Sequence, residues 1–402
     1  MSDFYQTGIV TTLHGLNKNN TPIIEKELVG YAEERPIALV LPSLYSELEG
    51  KALKHIVQVL QDIPYISEVV VTLGPATLDE FKRAKEFFSA LPQKTRVIWN
   101  AGPALTEIYR SIEEAELPIG SEGKGRSAWM AYGYILSQPE IDTIVLHDCD
   151  IATYDRRLLA RLCYPVANPN MDYEFCKGFY SRVTDRLHGR VTRLLVTPII
   201  RALQQLIGGH PLLTFFDSFR YPLAGEFSMD ANLARVIQIP GDWGLEVGVL
   251  AEVCRNTSVR RVCQVDIAEN YEHKHQLLSA EEPDQGLHKM SVDICKSLFR
   301  TLASEGVVFS EGFFKTLLAT YVRTAQDMLK RYGDDAAINS LLFDRHSESL
   351  AVETFTKGIK RAAEAIMDDP LGVPLIAAWH RVVSAIPDIF VAIKTAVEED
   401  NR

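Results

Sequence analysis

Two aspartates, one residue apart, follow a short apolar run near the middle of the chain. Residues 144–150 read Ile-Val-Leu-His-Asp-Cys-Asp, so Asp148 and Asp150 come directly after a predicted strand. Side chains alternate between the two faces of a strand, and the two carboxylates therefore point the same way. Such a pair can hold a hard divalent cation, Mg²⁺ or Mn²⁺, together with phosphate oxygens. Because aspartate is also common in turns, an ordinary strand-to-turn junction is the alternative interpretation.

The composition is that of a globular protein with an acidic charge balance. The chain has 402 residues, of which 47% are hydrophobic, and a formal net charge of −11. This length suggests two or three core-forming units. A nucleic-acid binder would need a basic face, so we expect no nucleic-acid partner. A few local cations would still suffice to bind an anionic small ligand.

The cysteines and the apolar runs indicate the compartment. None of the six cysteines forms a Cys-x-x-Cys pair, which argues against a zinc or redox motif. We find no signal-peptide pattern and no run of the ~18 apolar residues that a membrane helix needs. The sequence therefore predicts a cytoplasmic protein without a membrane partner.

Apolar strands alternate with amphipathic helices in the first part of the chain. This alternation is typical of an α/β fold with a mostly parallel sheet flanked by helices, in which ligands bind beyond the carboxyl ends of the strands. Asp148 and Asp150 lie at such an end. The predicted strands are 37–41, 68–72, 96–99 and 143–146, and the predicted helices are 47–61, 77–90 and 125–137.

Beyond about residue 280 the pattern is helical only, with no clear strand. We interpret this C-terminal region as support for the fold or as an oligomerisation surface, rather than as a source of catalytic residues. The predicted helices there are 289–304, 312–332, 350–367 and 374–397.

Two segments that precede predicted helices could bind a nucleotide diphosphate. The residues from Pro42 to Glu47 follow the first strand and could wrap a nucleotide, although a helix cap by Ser43 or Ser46 is the better local interpretation. Residues 120–126 place Lys124 between glycines, which permits close backbone approach and supplies a point charge for a phosphate. The spacing is not that of a P-loop, and a flexible exposed loop explains this segment equally well.

Residues 188–193, His-Gly-Arg-Val-Thr-Arg, begin an amphipathic segment. Gly189, Arg190 and Thr192 therefore lie at a predicted helix N-terminus, where free N–H groups and a guanidinium suit a phosphate or a carboxylate. Arginines are unfavourable beside the positive end of a helix, which favours a bound anion over a solvated first turn. Pro198 should kink or shorten this helix.

Three further segments carry carboxylates or imidazoles. Residues 221–227 and 241–248 each place a glutamate beside glycine and could line a sugar site, although turn chemistry explains the glycines as well. His273 and His275 lie two residues apart, and one imidazole could complete the coordination of a metal held by Asp150. A structural or solvated histidine is the more frequent alternative.

Taken together and in this order, these segments resemble the retaining glucosyl-3-phosphoglycerate synthases, nucleotide-sugar glycosyltransferases of the A-type fold. The resemblance covers residues 36 to about 280. Gly-Arg-Val-Thr is its most specific motif, whereas Asp-x-Asp is shared by many glycosyltransferases. The matching pieces are Pro-x-Leu at 42–44, Gly-Lys-Gly, Asp-x-Asp, Lys-x-Phe-Tyr at 177–180, Gly-Arg-Val-Thr, Pro-Leu-x-Gly-Glu and Gly-x-Glu-x-Gly.

The resemblance implies roles for residues at the donor end of the site. Asp148 would contact the nucleotide or the sugar, and Asp150 would bind the metal and the donor diphosphate. His273 would be the histidine ligand of the metal, although a one-residue insertion in this region leaves His275 as an alternative. The other residues implied in binding the nucleotide sugar are Pro42, Leu44, Glu47 and Lys124.

At the reaction centre, Glu246 would contact the sugar and the backbone carbonyl of Leu223 would lie near the anomeric carbon. Together with Asp148 and Asp150, these two residues make up the catalytic set that the resemblance implies. The phosphoglycerate acceptor would be held by Gly189, Arg190, Thr192 and, when it is not a metal ligand, His275.

The chain departs from the family pattern at several positions. Cys149 replaces the usual serine between the two aspartates, and Arg193 adds a positive charge at the acceptor segment. The second strand ends in Thr72-Leu-Gly-Pro, where Asp-Asp-Gly-Ser is common. This change at the end of the second strand affects the region that would recognise the base of the donor nucleotide.

The resemblance implies transfer of glucose, with retention, from an NDP-glucose to the 2-hydroxyl of 3-phospho-D-glycerate, with Mg²⁺ or Mn²⁺ as cofactor. The alternatives are mannosyl transfer, free glycerate as the acceptor, a nucleotidyltransferase and a catalytically silent binder of sugar nucleotides. The donor base stays open among uridine, guanosine and adenosine, and the helical tail is compatible with a homodimer. We divide the chain into an N-terminal extension (1–35), a catalytic domain with a nucleotide half (36–150) and an acceptor half (151–280), and a helical region (281–402).

Overall fold

Eight strands form one sheet in the computed structural model, which describes residues 6, 8–241, 244–272 and 286–402. The strands are β1 (Thr11–Leu13), β2 (Ile37–Ser43), β3 (Ile66–Leu73), β4 (Lys94–Trp99), β5 (Thr143–Leu146), β6 (Phe175–Tyr180), β7 (Phe227–Asp230) and β8 (Val262–Ala268). Their order is β1-β8-β6-β7-β5-β2-β3-β4. Strand β7 is antiparallel to β5 and β6, and the other neighbours pair in parallel.

Helices cover both faces of this sheet. They are α1 (Thr21–Glu34), α2 (Lys51–Leu60), α3 (Leu78–Phe88), α4 (Pro103–Glu114), α5 (Lys124–Leu136), α6 (Arg156–Ala167), α7 (Thr197–Ile207), α8 (Pro211–Asp217), α9 (Ala231–Val236), α10 (Leu245–Asn256), α11 (Gly286–Ser304), α12 (Glu311–Ile338), α13 (Arg345–Asp368), α14 (Trp379–Ala385) and α15 (Ile389–Asp400). Short 3₁₀ helices lie at Tyr45–Glu49 and Val259–Arg261, and a π-helical turn lies at Val191–Val196. Within the described part of the chain, none of these helices has the length and apolarity needed to cross a bilayer.

The predicted elements are present, although two predicted helices are divided and several observed elements were not predicted. The helix predicted at 47–61 is divided at Gly50 into a 3₁₀ turn and α2. The helix predicted at 374–397 is two helices, α14 and α15, because Pro387 between them cannot donate a helical hydrogen bond. No element was predicted before residue 36, yet this part of the chain forms β1 and α1.

Strand β2 shows why the sheet is buried on both faces. Ile37, Leu39 and Leu41 pack into the layer of α1, α2, α3 and α6. Ala38 and Val40 point to the opposite layer, which contains α4, α5 and the C-terminal helices. A strand covered on both sides reads as a continuous apolar run, which is the pattern in the sequence.

A pair of stacked tryptophans fixes the C-terminal region to helix α5 beside the sheet. The rings of Trp129 in α5 and Trp379 in α14 lie 4.1 Å apart and nearly parallel. Each indole N–H donates to a backbone carbonyl of the other segment, Trp129 to Ala377 at 2.8 Å and Trp379 to Trp129 at 3.0 Å. Gly133 provides the space, since a Cβ there would lie 2.2 Å from the Trp379 ring. The position of α5 therefore depends on α14.

Amide side chains close both outer strands of the sheet. At β1, the Gln6 side chain accepts from the Thr12 N–H at 2.7 Å and donates to the Thr12 carbonyl at 2.8 Å. At β4, the Asn401 side chain accepts from the Val97 N–H and donates to the Val97 carbonyl, both at 2.9 Å. Each amide thus makes the pair of hydrogen bonds that a neighbouring strand would make.

The segment that opens with Gly189 does not start as a regular α-helix. Residues 191–196 form the π-helical turn, and Pro198 is the second residue of α7, in agreement with the predicted shortening. A proline cannot donate to the carbonyl one α-helical turn earlier, which is that of Leu194. The Leu194 carbonyl instead accepts from the buried Tyr321 hydroxyl of α12 at 2.7 Å.

Replacement of Tyr321 by phenylalanine should therefore destabilise the protein by about 1–3 kcal/mol, because the Leu194 carbonyl then lacks this partner. Urea unfolding of the variant, followed by circular dichroism, measures this loss. An unchanged free energy of unfolding would show that the π-helical turn does not depend on α12.

Candidate active site

A cleft of about 680 Å³ opens beyond the carboxyl ends of β2, β3 and β5, at the edge of the sheet where the sequence predicted a ligand. It brings together the site residues that were predicted from distant parts of the chain. His273 and His275 lie outside the described residues. The predicted residues that line the cleft are Pro42, Leu44, Glu47, Lys124, Asp148, Asp150, Gly189, Arg190, Thr192, Leu223 and Glu246.

An ion cluster forms the floor of the donor end. The Lys124 ammonium lies 2.6 Å from Asp148 Oδ1 and 3.3 Å from Glu246 Oε1. Lys124 is the first residue of α5, Asp148 follows β5, and Glu246 is in the first turn of α10, where the helix dipole favours a carboxylate. Burial opposes the charge on Lys124, but Asp148 and Glu246 outweigh it and raise the pKa of the lysine. Lys124 is therefore positively charged at neutral pH.

Asp150 lies in the same cleft, two residues beyond the lysine-bound Asp148. The described residues contain no group of three or more histidine, cysteine or carboxylate side chains that could enclose a metal by themselves. Mg²⁺ and Mn²⁺ do not need such a cage, because one or two carboxylates suffice when phosphates and water complete the shell. A carboxylate at the mouth of a cleft of this size fits such an ion.

His147 holds the strand end that carries both aspartates. It is fully buried, its ring lies 4.8 Å from that of Tyr154, and its Nδ1 lies 2.9 Å from the Asp148 carbonyl oxygen. Burial lowers the pKa of His147 to about 4, so the ring is neutral at pH 7. Since a carbonyl only accepts, Nδ1 carries the proton and donates it to Asp148.

The Pro-Leu-x-Gly-Glu loop packs directly on Asp148. A Cβ at Gly225 would lie 2.7 Å from Asp148 Oδ2, so only glycine fits there without displacing the carboxylate. The next residue, Glu226, is fully buried and accepts hydrogen bonds from the hydroxyls of Tyr180 and Tyr271. Burial and the nearby Asp148 raise the pKa of Glu226.

Glu226 is therefore an anchor beneath the cleft, whereas the sequence had suggested both loop glutamates for a sugar site. The rings of Tyr180 and Tyr271 that hold it are stacked 3.8 Å apart. This anchor places Leu223, two residues before Gly225, at the cleft surface. Of the two glutamates, only Glu246 lines the cleft.

The acceptor end is cationic. Arg182, Arg186, His188 and Arg190 line it together with Gly189 and Thr192. Gly189 has a φ of +73°, which a residue with a side chain rarely adopts. The Thr192 hydroxyl oxygen is buried and has no hydrogen-bond partner among the described residues. A buried hydroxyl beside these arginines suits a negatively charged ligand.

The arginines at this turn predict an anion that offsets their charge. The structure supplies one from the chain itself, since the carboxylate of Glu348 in α13 contacts Arg190 Nε at 2.6 Å and Arg193 Nη1 at 3.0 Å. The helix dipole and arginine charges therefore do not by themselves require a ligand.

Several lining residues were missed from the sequence. Arg182 follows the end of β6, and the same strand-end argument that selected Asp148 could have selected it. Met290 and Ile294 of α11 close the cleft from the C-terminal region, and apolar residues on an amphipathic helix give no signal of this role. Glu348 had a visible signal: it occupies the apolar stripe of α13 with Val352, Phe355 and Ile359, at helical spacing.

Two curated proteins match nearly the whole chain. Glucosyl-3-phosphoglycerate synthase from Persephonella marina is 48% identical over 401 residues, which is 100% of this chain and 99% of that protein. The enzyme of the same name from Methanococcoides burtonii is 37% identical over 392 residues, 96% of this chain and 95% of that one. The chain belongs to the glucosyl-3-phosphoglycerate synthase family. No protein-family model matches it.

Solved structures share the fold at lower identity. Glucosyl-3-phosphoglycerate synthase from Mycobacterium tuberculosis, in complex with Mn²⁺, UDP and glucosyl-3-phosphoglycerate, has a TM-score of 0.53 and 19% identity over 75% of this chain and 90% of that one. Mannosyl-3-phosphoglycerate synthase from Rubrobacter xylanophilus has a TM-score of 0.54 and 22% identity over 71% and 80%. The predicted family, its glycosyltransferase class and the A-type fold with a helical C-terminal region are thus confirmed, and the roles of individual residues stay predictions.

Replacement of Gly225 by alanine should lower kcat/KM for the donor at least tenfold, because the added methyl group displaces the Asp148 carboxylate from Lys124. Steady-state kinetics with varied donor measures this effect. Gly209→Ala is the matched control, since a Cβ there meets no atom within 4 Å. Equal kinetics for the two variants would contradict the steric argument.

Proposed function

We propose that this chain transfers glucose from a nucleoside diphosphate glucose to the 2-hydroxyl of 3-phospho-D-glycerate, with retention of the anomeric configuration. One observation carries the proposal: a single cleft joins a carboxylate-rich end at Asp148 and Asp150 to a cationic end at Arg182 and Arg190. The first end suits a metal-bound diphosphate, and the second suits a small acid with a phosphate. Two relatives that match the full length carry the name of this activity.

At the donor end, the loop after β2 receives the nucleotide. Pro42, Leu44 and Glu47 line the cleft there, opposite Thr72 and Gly74 of the next strand end. Lys124 contributes a positive charge beside Asp148, on the side where charge develops on the leaving diphosphate. Glu246, which also contacts Lys124, accepts hydrogen bonds from sugar hydroxyls.

Mg²⁺ or Mn²⁺, held by Asp150 and by His273 or His275, would neutralise the diphosphate and stabilise the leaving group. The hard oxygen of Asp150 and an imidazole nitrogen are ligands that both ions accept. Asp148 is paired with Lys124, so Asp150 is the carboxylate assigned to the metal in this proposal.

At the acceptor end, the phosphoglycerate anion lies against Gly189, Arg190 and Thr192. Arg190 and Thr192 both line the cleft, and the buried Thr192 hydroxyl has no hydrogen-bond partner among the described residues. The backbone carbonyl of Leu223 faces the anomeric centre between the two ends. Since no carboxylate is assigned as a covalent nucleophile, the acceptor approaches on the front face and its proton passes to the leaving phosphate.

The same proposal assigns nucleotide binding to residues 36–150 and acceptor binding to residues 151–280. Residues 1–35 are an N-terminal extension that adds β1 and α1 to this fold, and residues 281–402 are a helical region. The proposal also includes a cytoplasmic location and a homodimer.

One experiment tests the donor base, the identity of the hexose and the need for a phosphate on the acceptor. The enzyme is assayed with glucose and mannose linked to UDP, GDP or ADP, each combined with 3-phosphoglycerate or glycerate. NDP release and the anomeric configuration of the product identify the donor and the acceptor. Pyrophosphate release instead would indicate a nucleotidyltransferase.

Replacement of Asp150 by alanine should reduce kcat by at least a thousandfold, because the metal then loses its carboxylate. The variant should keep the wild-type circular dichroism spectrum and melting temperature. Asp62→Ala, at an exposed carboxylate far from the cleft, serves as the control. Full activity of Asp150→Ala at limiting Mg²⁺ or Mn²⁺ would remove Asp150 from the metal site.

Replacement of Arg190 by alanine should raise the KM for 3-phosphoglycerate roughly tenfold to a hundredfold, the effect of one or two charge-assisted hydrogen bonds. The KM for the donor should stay within about twofold, because Arg190 lies at the other end of the cleft. Arg381→Ala changes an exposed arginine of α14 and is the control. An unchanged acceptor KM would exclude Arg190 from the acceptor site.

A further inference from the structure

A buried carboxylate from the C-terminal region contacts the arginines at the acceptor end of the cleft. Glu348 lies in the first turn of α13, a helix that begins where Asp344 accepts hydrogen bonds from the backbone N–H groups of His346 and Ser347. Its side chain is only 6% exposed. A buried carboxylate needs charged or hydrogen-bonding partners, and here these are Arg190 and Arg193.

Arg193 and Arg190 differ in how many of their guanidinium nitrogens remain available to bind a ligand. Arg193 donates from Nε to the His188 carbonyl at 2.8 Å and from Nη2 to the Leu187 carbonyl at 3.2 Å, and its guanidinium lies 4.8 Å from the Tyr332 ring. Its third nitrogen, Nη1, contacts Glu348. All three guanidinium nitrogens of Arg193 therefore contact groups of the protein itself.

Arg190 contacts Glu348 through Nε, and its side chain is 30% exposed in the wall of the cleft. The fork formed by Nη1 and Nη2 lies beyond the Nε contact, on the part of the guanidinium that a phosphate or carboxylate can engage with two parallel hydrogen bonds. Glu348 also separates this guanidinium from that of Arg193, since each binds a different carboxylate oxygen.

We propose that Glu348 is a positioning residue for the acceptor: it holds Arg190 by Nε so that the guanidinium fork faces 3-phosphoglycerate. This inference rests on the proposed function and adds to it a residue from the helical region. An arginine held in its binding rotamer loses less conformational entropy when the ligand arrives, so the carboxylate strengthens binding of the acceptor although it is itself an anion.

Glu348→Gln tests the inference, because glutamine keeps the shape and one acceptor oxygen but removes the charge. We expect the KM for 3-phosphoglycerate to rise about tenfold, with kcat and the donor KM within about twofold of wild type. Glu353→Gln, at an exposed glutamate of the same helix, is the matched control and should change neither KM. An unchanged acceptor KM overturns the proposal, and a lowered one identifies Glu348 as a competing anion and overturns it too.

A double-mutant cycle separates positioning from a general loss of structure. In the Arg190→Ala background, Glu348→Gln should raise the acceptor KM less than twofold further, because the residue through which it acts is gone. Full additivity of the two effects would contradict the proposal. If Glu348→Gln does not fold, Glu348→Asp keeps the charge but retracts it by one methylene, and a rise of a few-fold in the acceptor KM is expected.

Isothermal titration calorimetry with 3-phosphoglycerate distinguishes failure of the proposed transfer activity from failure of the positioning role of Glu348. If the wild-type enzyme releases no NDP with any donor and phosphoglycerate, the proposed function fails. The role of Glu348 is then decided by binding alone, where Glu348→Gln should weaken the dissociation constant about tenfold and Glu353→Gln should not. Equal dissociation constants for both variants would overturn the positioning role.

Discussion

The contact between Lys124 and Asp148 joins the first residue of α5 to the end of β5, and Glu246 adds the start of α10. Charges that are partly removed from water are stable only beside their partners, so these three element ends must meet in one arrangement. That arrangement depends in turn on packing far from the cleft. The stacked Trp129 and Trp379 hold α5 against α14, and the buried Glu226 holds the loop that presses on Asp148.

The two ends of the cleft are held by different physical means. The donor end relies on opposite charges at the ends of core elements and on a glycine that lets a loop approach Asp148. The acceptor end relies on helices of the C-terminal region, because Tyr321 binds the carbonyl of Leu194 and Glu348 binds both arginines. The sequence predicts this region to be support for the fold or an oligomerisation surface. Its side chains also contribute to the cleft, since Met290 and Ile294 line it and Glu348 contacts Arg190.

Much of the fold and of the site follows from local patterns. The strands predicted around Leu39 and Val145 are present because an apolar run between turn signals is read from neighbouring residues, and the strand-end rule then placed Asp148 at the cleft. Strand β1 could not be predicted in this way, since three residues carry no periodicity. The contact between Glu348 and Arg190 could not be predicted from local patterns. It joins residues 158 positions apart, and predicting it requires knowing which helix packs on which turn.

The amide groups of Gln6 and Asn401 have a consequence for how this molecule meets others. A long sheet with free outer strands is open to recruitment of a strand from another chain, the route to domain swapping and to fibrils. At Thr12 and at Val97 the main-chain groups that would receive such a strand are already taken. A peptide therefore finds no available main-chain groups at these two positions, and both outer strands resist extension of the sheet there.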